Sequence, residues 1–154
     1  MDETTVVHAS AVIDAPTGVI FEEIADPSRQ PAWDGNDNLA EAAPGQRVRA
    51  VGDVFVMTLT KDGVRRDNHV VEFEEGRCIA WCPAEPGAEP LGHLWRWELS
   101  PTADGSTEVT HTYDWTRLTD PRRFERARST TTGRLQASIE RLASAHGWGL
   151  ATGD

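Results

Sequence analysis

Residues Asp120–Gly147, DPRRFERARSTTTGRLQASIERLASAHG, decide how the rest of the chain must be arranged. Asp120 can cap a helix, and Pro121 suits its first position, where a missing N–H costs nothing. Gly147 fits the left-handed residue just past a helix end. The ~26 residues between would span ~39 Å as one long helix, far above the average length. Phe124, Ala127, Thr131, Leu135, Ile139 and Leu142 recur at spacings of three and four and share one face. The second half of that stripe is aliphatic, whereas the first half mixes Phe124 and Ala127 with Arg128, Thr131 and Thr132. Unpaired polar groups are costly to bury. The first half is therefore expected to face a polar or wetted space, and a cavity is the natural one.

A chain of 154 residues fits one domain with a real core. The expected domain covers residues 1–147, with 148–154 as a loose tail. A hydrophobic fraction of 38% and a mean hydropathy of -0.48 are ordinary for a soluble globule. The net charge of -10 speaks against nucleic acid or an anionic membrane surface as partner, since both call for basic patches. No apolar run approaches membrane-spanning length, and Met1-Asp2-Glu3 is wrong for a signal peptide, so a cytoplasmic location is expected. Cys78 and Cys82, four residues apart on a strand, would sit ~13 Å apart, too far for a bridge or a shared metal. Reduced, packed thiols fit a reducing compartment.

In chain order, Thr4 to Ile13 is a β-rich run. Asp14-Ala15-Pro16-Thr17 starts a short helix carrying Val19, Ile20, Phe21 and Ile24, and a second helical turn covers Ser28 to Trp33. Asp34 to Gln46 is polar and turn-rich, with a poorly defined edge strand. Strands follow at Val54–Thr60, Arg65–Phe73, Arg77–Cys82, His93–Leu99 and Glu108–Trp115, joined mostly by short Gly-containing turns. Pro83 to Gly92 is a longer loop. Consecutive strands on short turns pair antiparallel, so the class is α+β. A curved antiparallel sheet of six to seven strands closing around a long C-terminal helix satisfies both the helix stripe and the alternating strands.

The order and spacing of several short motifs then become specific. Ile13-Asp14-Ala15-Pro16 enters the first helix, and Ala25-Asp26-Pro27 precedes Trp33. Val51-Gly52-Asp53-Val54-Phe55 and Val70-Val71-Glu72-Phe73 before Gly76 follow. Ile79-Ala80-Trp81, Trp97-Glu98-Leu99 and Thr107-Glu108-Val109-Thr110 after Gly105 complete the set. Over almost the whole chain up to His146 the sequence resembles the SRPBCC superfamily, with its START-like helix-grip fold. Within it, the resemblance is to bacterial polyketide cyclase/dehydrase-like proteins. The resemblance implies a fold, but the superfamily holds carriers, cyclases, hydrolases, antitoxins and chaperone activators, so function must be argued from the site.

Side chains alternate along a strand, so His93, Trp95, Trp97 and Leu99 share one face, as do Val109, His111, Tyr113 and Trp115 on the partner strand. Arg96, Glu98, Thr110, Thr112 and Asp114 point the other way. The bulky sets should face the helix. Their rings suit a flat, partly polar ligand, which indole N–H, phenol O–H and imidazole would orient. Candidate acid–base groups are His111, His93 and Tyr113. Candidate ligand contacts are Trp95, Trp97 and Trp115 from this hairpin, and Phe55, Met57, His69 and Trp81 from the preceding strands. Phe124, Arg128 and Thr131 are added from the helix. His69 shares its alternation with Asp67, Val71 and Phe73. Whether that face is inward depends on the next turn, which sets Phe73 beside Cys78 or, with a Gly76 bulge, beside Ile79 and Trp81.

Each feature also has a plainer reading. The tryptophans can simply fill the core, and His93 and His111 can be hydrogen-bonded structural residues. Arg122 and Arg123 in the helix's first turn oppose its dipole. A solvated face is the simpler reading, an anion at the cavity mouth the other. His69, His93 and His111 lack close ligand spacing, so no metal is expected, and no phosphate loop or dinucleotide fingerprint calls for a cofactor. The expected partner is a hydrophobic or aromatic small molecule, bound by a monomer or homodimer. The resemblance implies either cyclisation or dehydration of a polyketide-like substrate with acid–base help, or non-catalytic carriage or sensing. A protein-interaction role on the sheet's outer face is a third class.

Overall fold

Strand β1 (Val6–Ile13) buries Ala9, Ala11 and Ile13 on one face, the alternation its sequence dictates. Helix α1 (Thr17–Ala25) follows, burying Ile20, Phe21 and Ile24. The Asp26 carboxylate accepts the Ser28 N–H at 3.1 Å and opens a short 3-10 segment, Pro27–Ala32. Six strands come next: β2 (Leu39–Glu41), β3 (Val54–Leu59), β4 (Arg65–Glu74), β5 (Cys78–Ala84), β6 (Leu94–Pro101) and β7 (Thr107–Asp114). A 3-10 turn at Pro121–Arg123, helix α2 (Phe124–Ser129), helix α3 (Thr132–Ser144) and strand β8 (Leu150–Ala151) complete the order. The computed structural model describes residues 4–35 and 39–151. Met1-Asp2-Glu3, part of the expected 34–46 edge segment and the end of the expected tail lie outside the described residues.

The strands form one antiparallel sheet in the order β2-β3-β4-β5-β6-β7-β1-β8. Its curved face packs on α1 and α3, so the α+β helix-grip arrangement is the one the strand and helix patterns imply. Leu150 and Ala151, read as tail, pair with Ile13 and Val12 of β1.

The stretch read as one long helix is broken. Thr130 (φ -82, ψ 90) and Thr131 (φ -96, ψ 165) leave helical geometry between α2 and α3. Three consecutive β-branched threonines weaken the helix there. The Thr131 hydroxyl then accepts the Arg134 N–H at 3.3 Å and caps α3. Periodicity survives the break, since Leu135, Ile139 and Leu142 are all fully buried.

Phe73 pairs with Ile79 across the β4–β5 turn, where Gly76 takes φ +77. A second irregularity lies between Val70, opposite Trp81, and Glu72, opposite Ala80. The extra residue, Val71, stays exposed, and a bulge of this kind shifts the alternation by one. Val70 and Phe73 therefore both pack on the core, while His69 falls on the opposite face from its neighbours Asn68 and Val70.

Candidate functional site: an aromatic cavity under the sheet

Between the concave face and the C-terminal segment lies a cavity of about 540 Å³, within the size range of small-molecule pockets. Strands β3 and β5 supply Phe55, Met57 and Trp81, with the Phe55 and Trp81 rings edge to face at 5.3 Å. The β6–β7 hairpin supplies the wall that the sequence points to. Its register sets Trp95 opposite Tyr113 and Trp97 opposite His111, and all four line the cavity with His93.

His111 is 3% exposed. Its ring stacks on Trp97 at 3.7 Å between centroids and on Trp95 at 5.7 Å, so two indoles flank the imidazole. Nδ1 lies 3.1 Å from the Arg96 carbonyl oxygen. A carbonyl only accepts, so Nδ1 carries the proton and Nε2 is the acceptor. Burial pushes the His111 pKa down to about 3. His93 is pushed down to about 4, by burial first and then by the charges of Arg123, Arg66 and Arg126. Tyr113 is pushed up to about 12 by burial, with Thr130 hydrogen-bonded to its phenol. Near neutral pH the wall therefore presents two neutral imidazoles and a neutral phenol.

Two lining residues hold an enclosed nitrogen without a partner among the described residues, Trp33 Nε1 and His93 Nδ1. Buried polar atoms normally find one. Trp33, from the end of the 3-10 segment, also meets Trp97 edge to face at 5.4 Å.

Five of the expected contacts lie elsewhere. His69 points away because its neighbours on β4, Arg66 and Asn68, are the ones that line the cavity. With His69 on the opposite face from His93 and His111, the three histidines cannot share an ion. No three His, Cys, Asp or Glu among the described residues are grouped to hold a metal. Trp115 and Phe124 pack on each other at 6.0 Å, and the Arg128 guanidinium lies 5.9 Å and 5.7 Å from their ring centres, a cluster outside the cavity lining. Thr131 is spent on capping α3, and its neighbour Thr130 takes the inward position. Sequence reasoning also passed over Arg66 and Asn68, hidden by the β4 bulge. Gln30, Leu118 and Ser138 come from separate turns and helices, and no local pattern marks them.

The geometry matches a known group of proteins. The sequence profile described as "Polyketide cyclase / dehydrase and lipid transport" matches residues 4–147, and the chain belongs to that family. It is a polyketide-cyclase-like member of the SRPBCC superfamily. A relative named "Uncharacterized protein Rv0088", from Mycobacterium tuberculosis, is 28% identical over 111 residues, which is 71% of this chain and 47% of the relative. The chain thus spans about half the length of the curated relatives it matches. Among solved structures, the Polyketide_cyc-like protein Cgl2372 from Corynebacterium glutamicum superposes with a TM-score of 0.64 at 17% identity, covering 94% of this chain and 93% of that one. PFC0360w, an HSP90 activator from Plasmodium falciparum, gives 0.65 at 12% identity, covering 96% and 99%. At such identities the likeness is one of fold. No helix among the described residues is long and apolar enough to cross a membrane.

The depressed histidines make stability depend on pH in a defined direction. Both folded pKa values lie below the ordinary 6.5, so the unfolded chain binds protons more readily. Their contribution is complete above pH 6.5 and is lost as pH falls toward the folded values. For His111 alone the slope is about 1.4 kcal/mol per pH unit. Urea-unfolding free energy should therefore fall between pH 6.5 and about 4.5, and His111→Gln should remove about 2 kcal/mol of that fall. An unchanged fall in the variant would mean that the ring is not desolvated.

Proposed function

We propose that the cavity binds an apolar or aromatic small molecule, with the residues of the helix-grip domain acting as one cytoplasmic binding unit. The observation that carries this reading is the wall itself. Trp81, Trp95 and Trp97 offer ring surface, while Trp33 Nε1 and His93 Nδ1 are enclosed polar atoms awaiting a partner. Such a mixture fits a flat ligand bearing a few oxygens. Family membership supports a small-molecule ligand as well.

Catalysis is the second reading, favoured by the single-proton geometry of His111. With Nδ1–H held by the Arg96 carbonyl, Nε2 could accept a proton or a hydrogen bond. An imidazole held near pKa 3 is poorly matched to general-base work at neutral pH, so binding and orientation is the reading the geometry supports better. Titration with polycyclic aromatic ligands should change indole emission and raise thermal stability, by about 2.7 kcal/mol at a hundredfold excess over Kd. Silence across a broad apolar panel would remove the proposal. His111→Gln should keep binding; any turnover that is found should then drop ~100-fold if His111 moves a proton, and stay if it only orients the ligand.

A further inference from the structure

The chain carries a net charge of -10, yet its cavity has the opposite sign. Lys61, Arg66, Arg122, Arg123, Arg126 and Arg134 line it, and among the described residues Asp34 is the one acidic side chain in the lining. Arg122 can be set aside, because its side chain is 88% exposed and paired with Asp120. Arg66 and Arg123 are different. Both are largely covered, and both lean on the same carboxylate, Glu85, at 3.5 Å and 2.6 Å. Glu85 itself stands outside the cavity lining. Arg123 also lies 3.6 Å from Asp120, the carboxylate that holds Arg122, so the three guanidinium groups share two carboxylates and one positive charge is left over beside an apolar space. Burial pushes the Arg66 pKa down despite Glu85, the signature of a cation short of compensation.

His93 stands in the same field. Arg123, Arg66 and Arg126 all act on it and favour its neutral form, and its Nδ1 is the enclosed nitrogen without a partner among the described residues. A cation at this place would be repelled. An anion would meet two planar forks suited to a carboxylate, with the imidazole as a third donor when Nδ1 carries the proton.

We propose that the cavity takes an anionic amphiphile, a monocarboxylate on an apolar chain or ring, whose headgroup is held by Arg66 and Arg123 beside His93. The apolar part then lies against Trp81, Trp97 and Phe55. A single negative charge matches the one positive charge left over by Arg66, Arg122 and Arg123 against Glu85 and Asp120, which favours a carboxylate over a dianionic phosphate at this place. This rests on the binding reading above but says more, since a purely apolar pocket would not distinguish an acid from its alcohol.

The test uses two matched pairs at pH 7, decanoate against decanol and 2-naphthoate against 2-naphthol, followed by indole emission on the full chain. In at least one pair the acid should bind 10-fold or more tighter, the effect of one or two charge-assisted hydrogen bonds. The pair that shows it tells an aliphatic from an aromatic acid. Arg66→Gln and Arg123→Gln, each made singly, should reduce the preference to about 3-fold or less, chiefly through loss of affinity for the acid. A far-UV circular dichroism spectrum and a melting transition like the parent's show that the variant is folded. Equal affinities within both pairs, or a preference that survives both substitutions, would overturn the carboxylate site and leave the apolar cavity standing. Failure of all four compounds to bind would overturn the cavity reading and this proposal together.

Discussion

Trp97→Ala should lower the unfolding free energy by about 3–5 kcal/mol, the range for deleting a large buried aromatic. Trp97 is 1% exposed and is shared between core and cavity. One face covers His111 at 3.7 Å, and Trp33 meets it edge-on at 5.4 Å. In the ladder it sits between Ile79 and His111. The void left by alanine would join the cavity, so water could reach the imidazole. The His111 pKa should then climb from about 3 toward its ordinary value, which an NMR titration of the ring would follow. Urea denaturation measures the stability part. A loss below about 1 kcal/mol would show that the sheet closes over the gap and that Trp97 is not a keystone of the packing.

Gly92→Ala should be nearly as damaging, at more than about 3 kcal/mol, although it adds a single methyl group. Gly92 has φ +117, a region that residues with a Cβ rarely adopt. A Cβ there would also sit 2.3 Å from the Arg117 carbonyl oxygen and 2.7 Å from Leu118 Cα. Both obstacles are backbone, so no side-chain rotation relieves them. Leu118 lines the cavity and His93 follows Gly92 directly, so the strain would reach the site as well as the fold. Thermal melting of the variant decides the matter. A variant within about 1 kcal/mol of the parent would mean that the 83–92 loop can lift away from the 115–118 turn without cost.

The cavity wall was legible in the sequence where the strands run without interruption. Trp95 and Trp97 alternate cleanly through β6, His111 and Tyr113 through β7, and the two strands pair in one unbroken register. A period of two then says which side chains share a face. On β4 the same arithmetic fails, because the extra residue near Val71 changes the phase mid-strand. His69 was read with Phe73 and lands opposite it. Arg66 and Asn68, which carry much of the cavity's polarity, were missed for the same reason. The helix break was hidden differently. Apolar residues continue at spacings of three and four across Thr130 and Thr131, and only the triple threonine hints that the backbone stops. Trp33 and Ser138 depend on long-range docking of a turn onto a helix, which no local pattern encodes.

The placement of β1 bears on how the protein comes to be folded. Val6 pairs with Asp114 and Ile13 with Thr107, so the first strand in the chain is stitched to the seventh across roughly a hundred residues. The strands β2 to β6 pair only with their sequence neighbours, and β7 does so on its β6 side. Closing a long loop carries more entropy cost than closing a hairpin, and such distant pairings slow folding. The meander can therefore assemble as soon as it is made, while β1 waits for β7 before it has a partner there. Once formed, β7 is an open edge displaying Val109, His111 and Tyr113 until β1 docks. On a ribosome the wait of β1 lasts until the β6–β7 hairpin emerges, which makes the arrival of β1 the step that seals the sheet.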